Sequence, residues 1–365
     1  MVGIKQLSEK QRTEREAKFG KEDEELKHIM EAKKTQIKIV GCGGAGNNTI
    51  TRLNQIGIVG AETIVMNTDA QDLLYSDADK KILLGKELTS GLGAGANPEI
   101  GMEAAKESKD DIKKALQGAD LVFLTCGLGG GTGTGSIGVV AAEAKRLGAL
   151  VIAVVTLPFK MEGKTRLKNA RWGFEQLRPN VDSIIMVPND KLVEIVPDVS
   201  IQTAFKIADE ILVNAVKGIT ELVTKPGLVN LDFADVKTVI SNSGMAMIGI
   251  GESDTDNRAF EAVEKALNNP LIAMDITNAG GALINVIGGE DMTIRESQNI
   301  VETVSKKLDP EAKIIWGSTV DKAMGDTIKA VLVVTGVKGA DVFEGKMSKS
   351  DKSDMEKMFG VDFVE

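Results

Sequence analysis

The stretch Gly127–Ser136 reads GLGGGTGTGS, with six glycines in ten residues and mostly hydroxyl-bearing side chains among the rest. It follows an apolar run near 120–126 with strand character. Each glycine surrenders extra conformational entropy on folding, so a plain turn is a poor reason for such a run. Consecutive backbone N–H groups at the start of a helix form a cradle for an anion, and the hydroxyls of Thr132 and Thr134 offer further donors. The stretch therefore predicts strand, phosphate loop and helix, in that order.

A second glycine loop lies upstream in Ile37–Asn48, IKIVGCGGAGNN, where Gly41, Gly43 and Gly46 satisfy GxGxxG. An apolar strand ends at Val40 and a helix is expected from about Ala45. A dinucleotide site also wants an acidic residue roughly twenty positions on, to hold a ribose. Asp69, after the strand TIVMN, roughly supplies it. Taken alone, this segment leaves open a dinucleotide, another nucleotide, or a ligand-free turn. Neither loop contains Lys and GxxxxGK[ST] is absent, which excludes a P-loop NTPase. A third glycine-rich stretch, GLGAGANP at Gly91–Pro98, makes a set that surrounds a polyphosphate better than a dinucleotide.

Strand signals near 37–41, 63–67, 81–84, 120–126, 149–157 and 182–188 alternate with helical stretches, which predicts a parallel sheet covered on both faces. Ligands of such sheets sit at the carboxyl ends of the strands. From Ser200 to Thr224 apolar residues recur at helical spacing for about six turns, as a central connecting helix would. MAMIGIG, GALINVIGG, AKIIWGS and IKAVLVVTG then read as strands, with helices near 256–268 and 293–308, so a second, smaller α/β domain is expected. The resulting division is a charged extension (1–34), a nucleotide domain (35–199), the central helix and its loop (200–231), a C-terminal domain (232–338) and a tail (339–365). Residues 1–34 carry 17 charged side chains of mixed sign, which sets them outside the main core.

Composition narrows the chemistry. With 365 residues and 42% hydrophobic content the chain can bury two cores. A net charge of −9 argues against a nucleic-acid partner, and no apolar run is long enough for membrane insertion or a signal peptide, so a cytoplasmic protein is expected. His28 is the sole histidine, and Cys42 and Cys126 are the sole cysteines. That excludes a zinc site and a His-dependent triad in practice, and both cysteines read as buried small hydrophobes. No protein metal site is expected. Carboxylates, backbone amides, Arg, Lys or a nucleotide-borne metal must do the work.

With GGGTGTG, GCGGAGNN, NTDAQ, GLGAGANP, PFKMEGKTR, NLDFADV and AMIGIGES in this order between about residues 37 and 338, the chain resembles the FtsZ family, the tubulin-related cell-division GTPases, of archaeal type. The resemblance implies a tubulin/FtsZ-like α/β fold with GTP or GDP and Mg²⁺ as ligands. It places Gly43, Gly44, Ala45, Gly46, Asn47 and Asn48 in the first phosphate and guanine loop. Gly129, Gly130, Gly131, Thr132, Gly133 and Thr134 fall in the signature loop. Ala94, Gly95, Ala96 and Asn97 match the loop that closes over the γ-phosphate. Glu162 and Arg166 match ribose and phosphate contacts, and Asn189 a residue near ribose or base. Read locally, Glu162 and Arg166 are also a solvated helix pair.

Phe205 and Asp209 are four apart and share a helix face. There the ring can stack on a purine while the carboxylate accepts N1–H and N2–H of guanine, a donor pair that adenine lacks. A core Phe and a locally paired Asp are the plainer alternative. In NLDFADV, Asp232 reads locally as a helix N-cap with Asp235 in the first turn. By resemblance Asn230, Asp232 and Asp235 come from a neighbouring subunit and complete the site for hydrolysis. This implies head-to-tail filaments and a mid-cell division ring. The apolar tip MFGVDFV implies docking to a membrane-anchoring division protein. A filament protein of cell shape, separable by localisation, and a nicotinamide-dependent oxidoreductase, separable by whether NADH or GTP stabilises the fold, are the alternatives.

Overall fold

In the computed structural model, residues 35–191, 201–224, 232–269, 276–277 and 279–337 are described, excepting the side chains of residues 201, 202, 204 and 205. The charged extension, Asn230 and the tail lie outside these residues.

The first half begins with β1 (Ile37–Cys42), α1 (Gly43–Ile56), β2 (Ala61–Asn67), α2 (Ala70–Tyr75), β3 (Lys80–Leu83) and α3 (Lys86–Thr89). It continues with α4 (Pro98–Glu107), α5 (Lys109–Leu116), β4 (Leu121–Gly127), α6 (Thr132–Arg146), β5 (Leu150–Leu157), α7 (Lys164–Leu177) and β6 (Ser183–Pro188). These six strands are parallel, in the order β3-β2-β1-β4-β5-β6. All of β1 and β5 is buried, as expected of parallel strands covered on both faces. The order reverses direction between β1 and β4, and the crevice above the carboxyl ends of those two strands is where such sheets bind ligands. Both glycine loops leave the sheet there.

After α8 (Ile201–Thr224) and α9 (Phe233–Ile240) come β7 (Gly244–Ser253), α10 (Arg258–Leu267), β8 (Gly281–Gly288), α11 (Ile294–Ser305), β9 (Lys313–Val320) and β10 (Ile328–Thr335). The second half is not a detached sheet. β7 pairs in parallel with β6 through Ser183–Ile185, and β10 runs antiparallel between β7 and β8, giving one ten-stranded sheet that ends in β9. The two halves share a core: Leu212, Val216 and Ile219 of α8 pack with Val154 and Ile185 from the first half and with Ile248, Leu283 and Val331 from the second. Separate cores lie under α4–α7 and under α10 and α11. Against β10, α8 has Gly218, whose missing Cβ would lie 3.1 Å from Val331 Cγ1. Asn285, buried on β8, donates to Gly218 O at 3.1 Å and ties the helix to the second half.

Close packing of α4 on α6 brings the GLGAGANP loop to the site. A Cβ at Gly135 of α6 would overlap Pro98 O and Met102 N, and one at Gly101 of α4 would overlap Gly131 O. The two helices meet backbone to backbone. Gly to Ala inside a helix ordinarily stabilises by roughly 1 kcal/mol. Gly135→Ala should instead destabilise by about 1–3 kcal/mol, the usual cost of overpacking, and weaken nucleotide binding by displacing residues 94–97. Thermal melting with and without GTP measures both.

Candidate active site

A cleft of about 330 Å³ opens at the reversal point between β1 and β4. Its floor is made by two helix starts. α1 begins at Gly43, two residues before the expected Ala45, so Gly43, Gly44 and Ala45 are its first turn and line the cleft. α6 begins at Thr132, and Gly130, Gly131, Thr132 and Gly133 line the other side. Neither helix has a side-chain N-cap bond. The orphan N–H groups and positive dipole ends of both helices therefore remain for an anion.

Glycine is required for this convergence. Gly43 has φ +70, and a Cβ on it would sit 2.6 Å from Gly133 N. A Cβ on Gly46 would sit 2.6 Å from Thr125 O, so Gly46 lets α1 settle against β4. Gly46 is thus a packing residue and does not line the cleft. The hydroxyls are partly spent on the loops themselves: Thr132 Oγ1 pairs with Thr68 Oγ1 at 2.6 Å, and buried Thr134 accepts the Gly129 N–H at 2.9 Å.

The loop at 90–97 leans on the signature loop. The Cβ position of Gly131 is 2.9 Å from Asn97 N and 3.0 Å from Ala94 Cβ, and Asn169 donates to Ala96 O and Gly129 O at 3.1 and 3.3 Å. Ala96 itself has φ +58, a left-handed conformation costing a non-glycine residue roughly 1–2 kcal/mol. Asn97 caps α4 by accepting the Glu99 N–H at 2.9 Å. Ala94, Gly95 and Ala96 form a rim beside the cleft and do not line it.

At the far wall stand Glu162 and Arg166, ion-paired at 3.0 Å, with Asn189, Ala208, Asp209 and Leu212. Arg166 is the only cationic side chain lining the cleft among the described residues. Asn189 is 4% exposed, and its Oδ1 has no partner among the described residues. Thr49 of α1 donates to Asp209 at 3.2 Å. Burial pushes the Asp209 carboxyl up to about 6, against the opposing pull of that hydrogen bond and of Arg52. Phe205 lies one turn before Asp209 on α8, and its side chain is outside the described residues. Cys42 lines the cleft with its thiol pushed up to about 12 by burial, so it is a neutral wall residue and not a nucleophile.

Asp232 and Asp235 sit elsewhere. They form a reciprocal capping box at the start of α9, with Asp235 N–H donating to Asp232 Oδ1 at 2.8 Å, and both are exposed. α8 carries the chain about 22 Å from Asp209 to Thr224 at 1.5 Å per residue. Thr224 ends against Gly60, just before β2 starts, and α9 is followed by Gly244, which donates to Asp182 O at the start of β6. Both anchors of α9 are therefore at the amino ends of the strands, opposite the cleft.

Some contributors carry no sequence signal. Thr49, Asn169 and Asp72 reach the site only through folding, from the flanks of the motifs. Asn47 lies fully buried behind the first loop, its Nδ2 on Asp72 Oδ2 at 2.9 Å, and Asn48 is exposed. Asp69, the ribose acid of the dinucleotide reading, is occupied as the N-cap of α2, accepting from Gln71 N and Asp72 N. Among the described residues, no helix is long and apolar enough to cross a membrane.

Two family matches cover this architecture in turn. Residues 36–197 match the Tubulin/FtsZ family GTPase domain and residues 244–338 the FtsZ family C-terminal domain. The chain is 57% identical to cell division protein FtsZ 1 of Methanocaldococcus jannaschii over 93% of both chains. It is 62% identical to FtsZ 1 of Thermococcus kodakarensis, covering 86% of this chain and 84% of that one. A solved M. jannaschii structure, an empty FtsZ dimer, superposes with a TM-score of 0.84 at 59% identity, covering 88% of this chain and 93% of that one. A GTPase-domain match over the first half, an FtsZ C-terminal match over the second and 57% identity along most of the chain make it a member of the FtsZ family of tubulin-related cell-division GTPases.

Proposed function

We propose that the chain hydrolyses GTP only between two copies of itself, and that the head-to-tail filaments so formed build a cytoplasmic division ring. The observation that carries this reading is the separation of Asp232 and Asp235 from their own cleft, at the opposite end of the sheet. Exposed carboxylates at one end and an anion cleft at the other are complementary between successive copies. Such a heterologous contact does not close, so it propagates. The solved M. jannaschii relative is itself described as a dimer.

In this reading the backbone N–H groups of Gly43–Ala45 and Gly130–Thr134 hold the phosphates, and residues 94–97 close beside the γ-phosphate. Glu162, Arg166 and Asn189 face the ribose and the phosphate flank. Asp209 accepts the guanine N1–H and N2–H, with Phe205 stacking on the ring. From the next copy, Asp232 and Asp235, together with Asn230, orient and polarise the water that attacks the γ-phosphorus as the bond to the β-phosphate oxygen breaks. The cleft fits a divalent ion as well, because Arg166, its sole cation among the described residues, is already neutralised by Glu162. No cluster of three or more His, Cys, Asp or Glu among the described residues could hold a metal without the nucleotide. Mg²⁺ arriving with the nucleotide would supply the missing positive charge. The apolar tip MFGVDFV on its polar tail docks a membrane-anchoring division protein.

If the site is shared, Asp235→Ala should bind GTP and assemble normally while hydrolysing roughly 100-fold more slowly or worse. Gly131→Ser, whose side chain would press on Asn97 N and Ala94, should bind GTP poorly yet still present its aspartates. Mixing the two variants should restore part of the turnover. Turnover per subunit of the unaltered protein should climb with protein concentration. A mixture no better than the sum of its parts, with turnover independent of concentration, would show a self-contained site.

Guanine recognition through Asp209 carries a pH signature. Burial pushes its carboxyl up to about 6, above the unfolded value near 3.9. Its contribution to stability is therefore full below about pH 4 and is lost as pH rises through 6. Guanine needs the ionised form, so GTP binding should release a proton near pH 6. GTP affinity should drop by up to about tenfold per unit as pH falls below 6 and level off above it. Titration of Asp209→Asn should show a flatter profile, and ATP should show almost none. Removing residues 355–365 should leave GTPase activity and assembly intact and abolish binding to the membrane anchor, as a co-sedimentation assay reads.

A further inference from the structure

The only two cysteines of the chain meet at one point of the fold. Cys42 is the last residue of β1, and Cys126 is the last but one of β4. The two strands pair in parallel up to Gly41↔Thr125, so Cys42 and Cys126 are the next pair in that register. Both side chains are fully buried in the core under α4–α7, which puts them on the same face of the sheet. A Cβ on Gly133 of α6 would lie 2.7 Å from Cys42 O and 3.2 Å from Cys126 Cβ, so the first turn of that helix roofs both. Cys42 also lines the cleft, which gives the pair a route to solvent.

Spacing decides what two such thiols can hold. Neighbours in register stand one strand spacing apart, ~4.8 Å. A disulfide wants its Cβ atoms within roughly 3.5–4.5 Å, so direct closure would strain two central strands. A metal–thiolate bond is about 2.3 Å long, so two sulfurs bridged by one two-coordinate cation are about 4.6 Å apart, close to the spacing that the strands impose. Zinc is unsuited, because it takes four ligands and no group of three or more His, Cys, Asp or Glu among the described residues could hold a metal. Thiolates select soft cations, Cu(I) among them. Burial pushes the Cys42 thiol up to about 12, and burial together with Cys42 pushes the Cys126 thiol well up, so neither thiolate forms without a cation beside it.

We propose that Cys42 and Cys126 form a two-coordinate site for a soft monovalent cation of the Cu(I) type, at the base of the two phosphate loops. On binding, both S–H bonds break, two S–Cu bonds form, and both protons leave through the cleft. The copper remains Cu(I) throughout. The bis-thiolate complex then carries a net single negative charge directly before Gly43, where α1 begins, and under Gly133 in the first turn of α6. The dipoles of both helices stabilise that charge, and they are the same two that face the cleft. Copper and nucleotide therefore oppose one another. The anion under the loops weakens phosphate binding, and bound phosphate weakens copper binding by the same factor. This opposition rests on the reading of the cleft as a GTP site; the copper site itself does not.

Anaerobic titration with Cu(I) held by bicinchoninate, followed through the colour of the chelate, should show one ion taken up per chain of the unaltered protein. Cys42→Ser and Cys126→Ser should each lower that affinity by at least the roughly 10–100-fold that loss of a mere supporting group costs a metal site. Cys126→Ala, which keeps the wall apolar, serves if the serine variant melts early. With Cu(I) bound, the GDP affinity of the unaltered protein should fall about tenfold, within the usual range of coupling between two sites, and that of Cys126→Ser should not change. No uptake by the unaltered protein, or uptake at full affinity in either serine variant, would overturn the copper site. A GDP affinity that bound copper does not lower would overturn its opposition to the nucleotide. Failure to bind GTP or GDP with or without copper would instead overturn the underlying reading of the cleft.

Discussion

Backbone meeting backbone at the carboxyl ends of β1 and β4 is the contact on which the rest of the structure depends. Gly43 must lie against Gly133 N, Gly46 against Thr125 O, and Gly135 against Pro98 O, with no room for a side chain at any of them. This proximity turns two helix N-termini toward the same few ångströms of space. A phosphate group can then be bound by amides and dipoles, without the lysine on which P-loop proteins rely. The entropy given up by so many glycines is the cost of that geometry.

α8 carries the consequence to the other end of the molecule. Its first turns wall the cleft with Ala208, Asp209 and Leu212, while Val216 and Ile219 lie in the core shared by both halves of the sheet. Asn285 and Lys329 bind α8 from the second half, through Gly218 O and Asn214 Oδ1. A rigid, well-packed rod transmits displacement better than it absorbs it. The same helix ends at Thr224, whose side chain packs against Gly60 just before β2.

The cleft is poor in cations, and that shapes its chemistry. Arg166 is tied to Glu162, burial pushes the Asp209 carboxyl up to about 6, and the hydrogen-bond partners of Asp72 Oδ2 are amides. A cleft with so little positive charge is in keeping with the net charge of −9.

The sequence by itself determined the strand-loop-helix order, the anionic ligand class and the family, because GGGTGTG and GCGGAGNN encode backbone geometry that few residues other than glycine allow. Its periodicities also located the central helix and every strand. The capping role of Asp232 was legible for the same local reason: N-cap chemistry is settled within four residues. Tertiary structure alone decided that β7 continues the first sheet, since pairing of Ser183–Ile185 with Gly244–Ala246 is a contact across about sixty residues. It also decided that Thr134 braces its own loop, that Asp69 is consumed as a helix cap, and that Asp209 titrates near 6. Asp72 belongs to the same group: nothing in NTDAQD distinguishes its two aspartates, and only the fold turns one to a helix end and the other beside Gly44. Hydrogen-bond partners and burial depend on which segments meet, and that is information no local stretch contains.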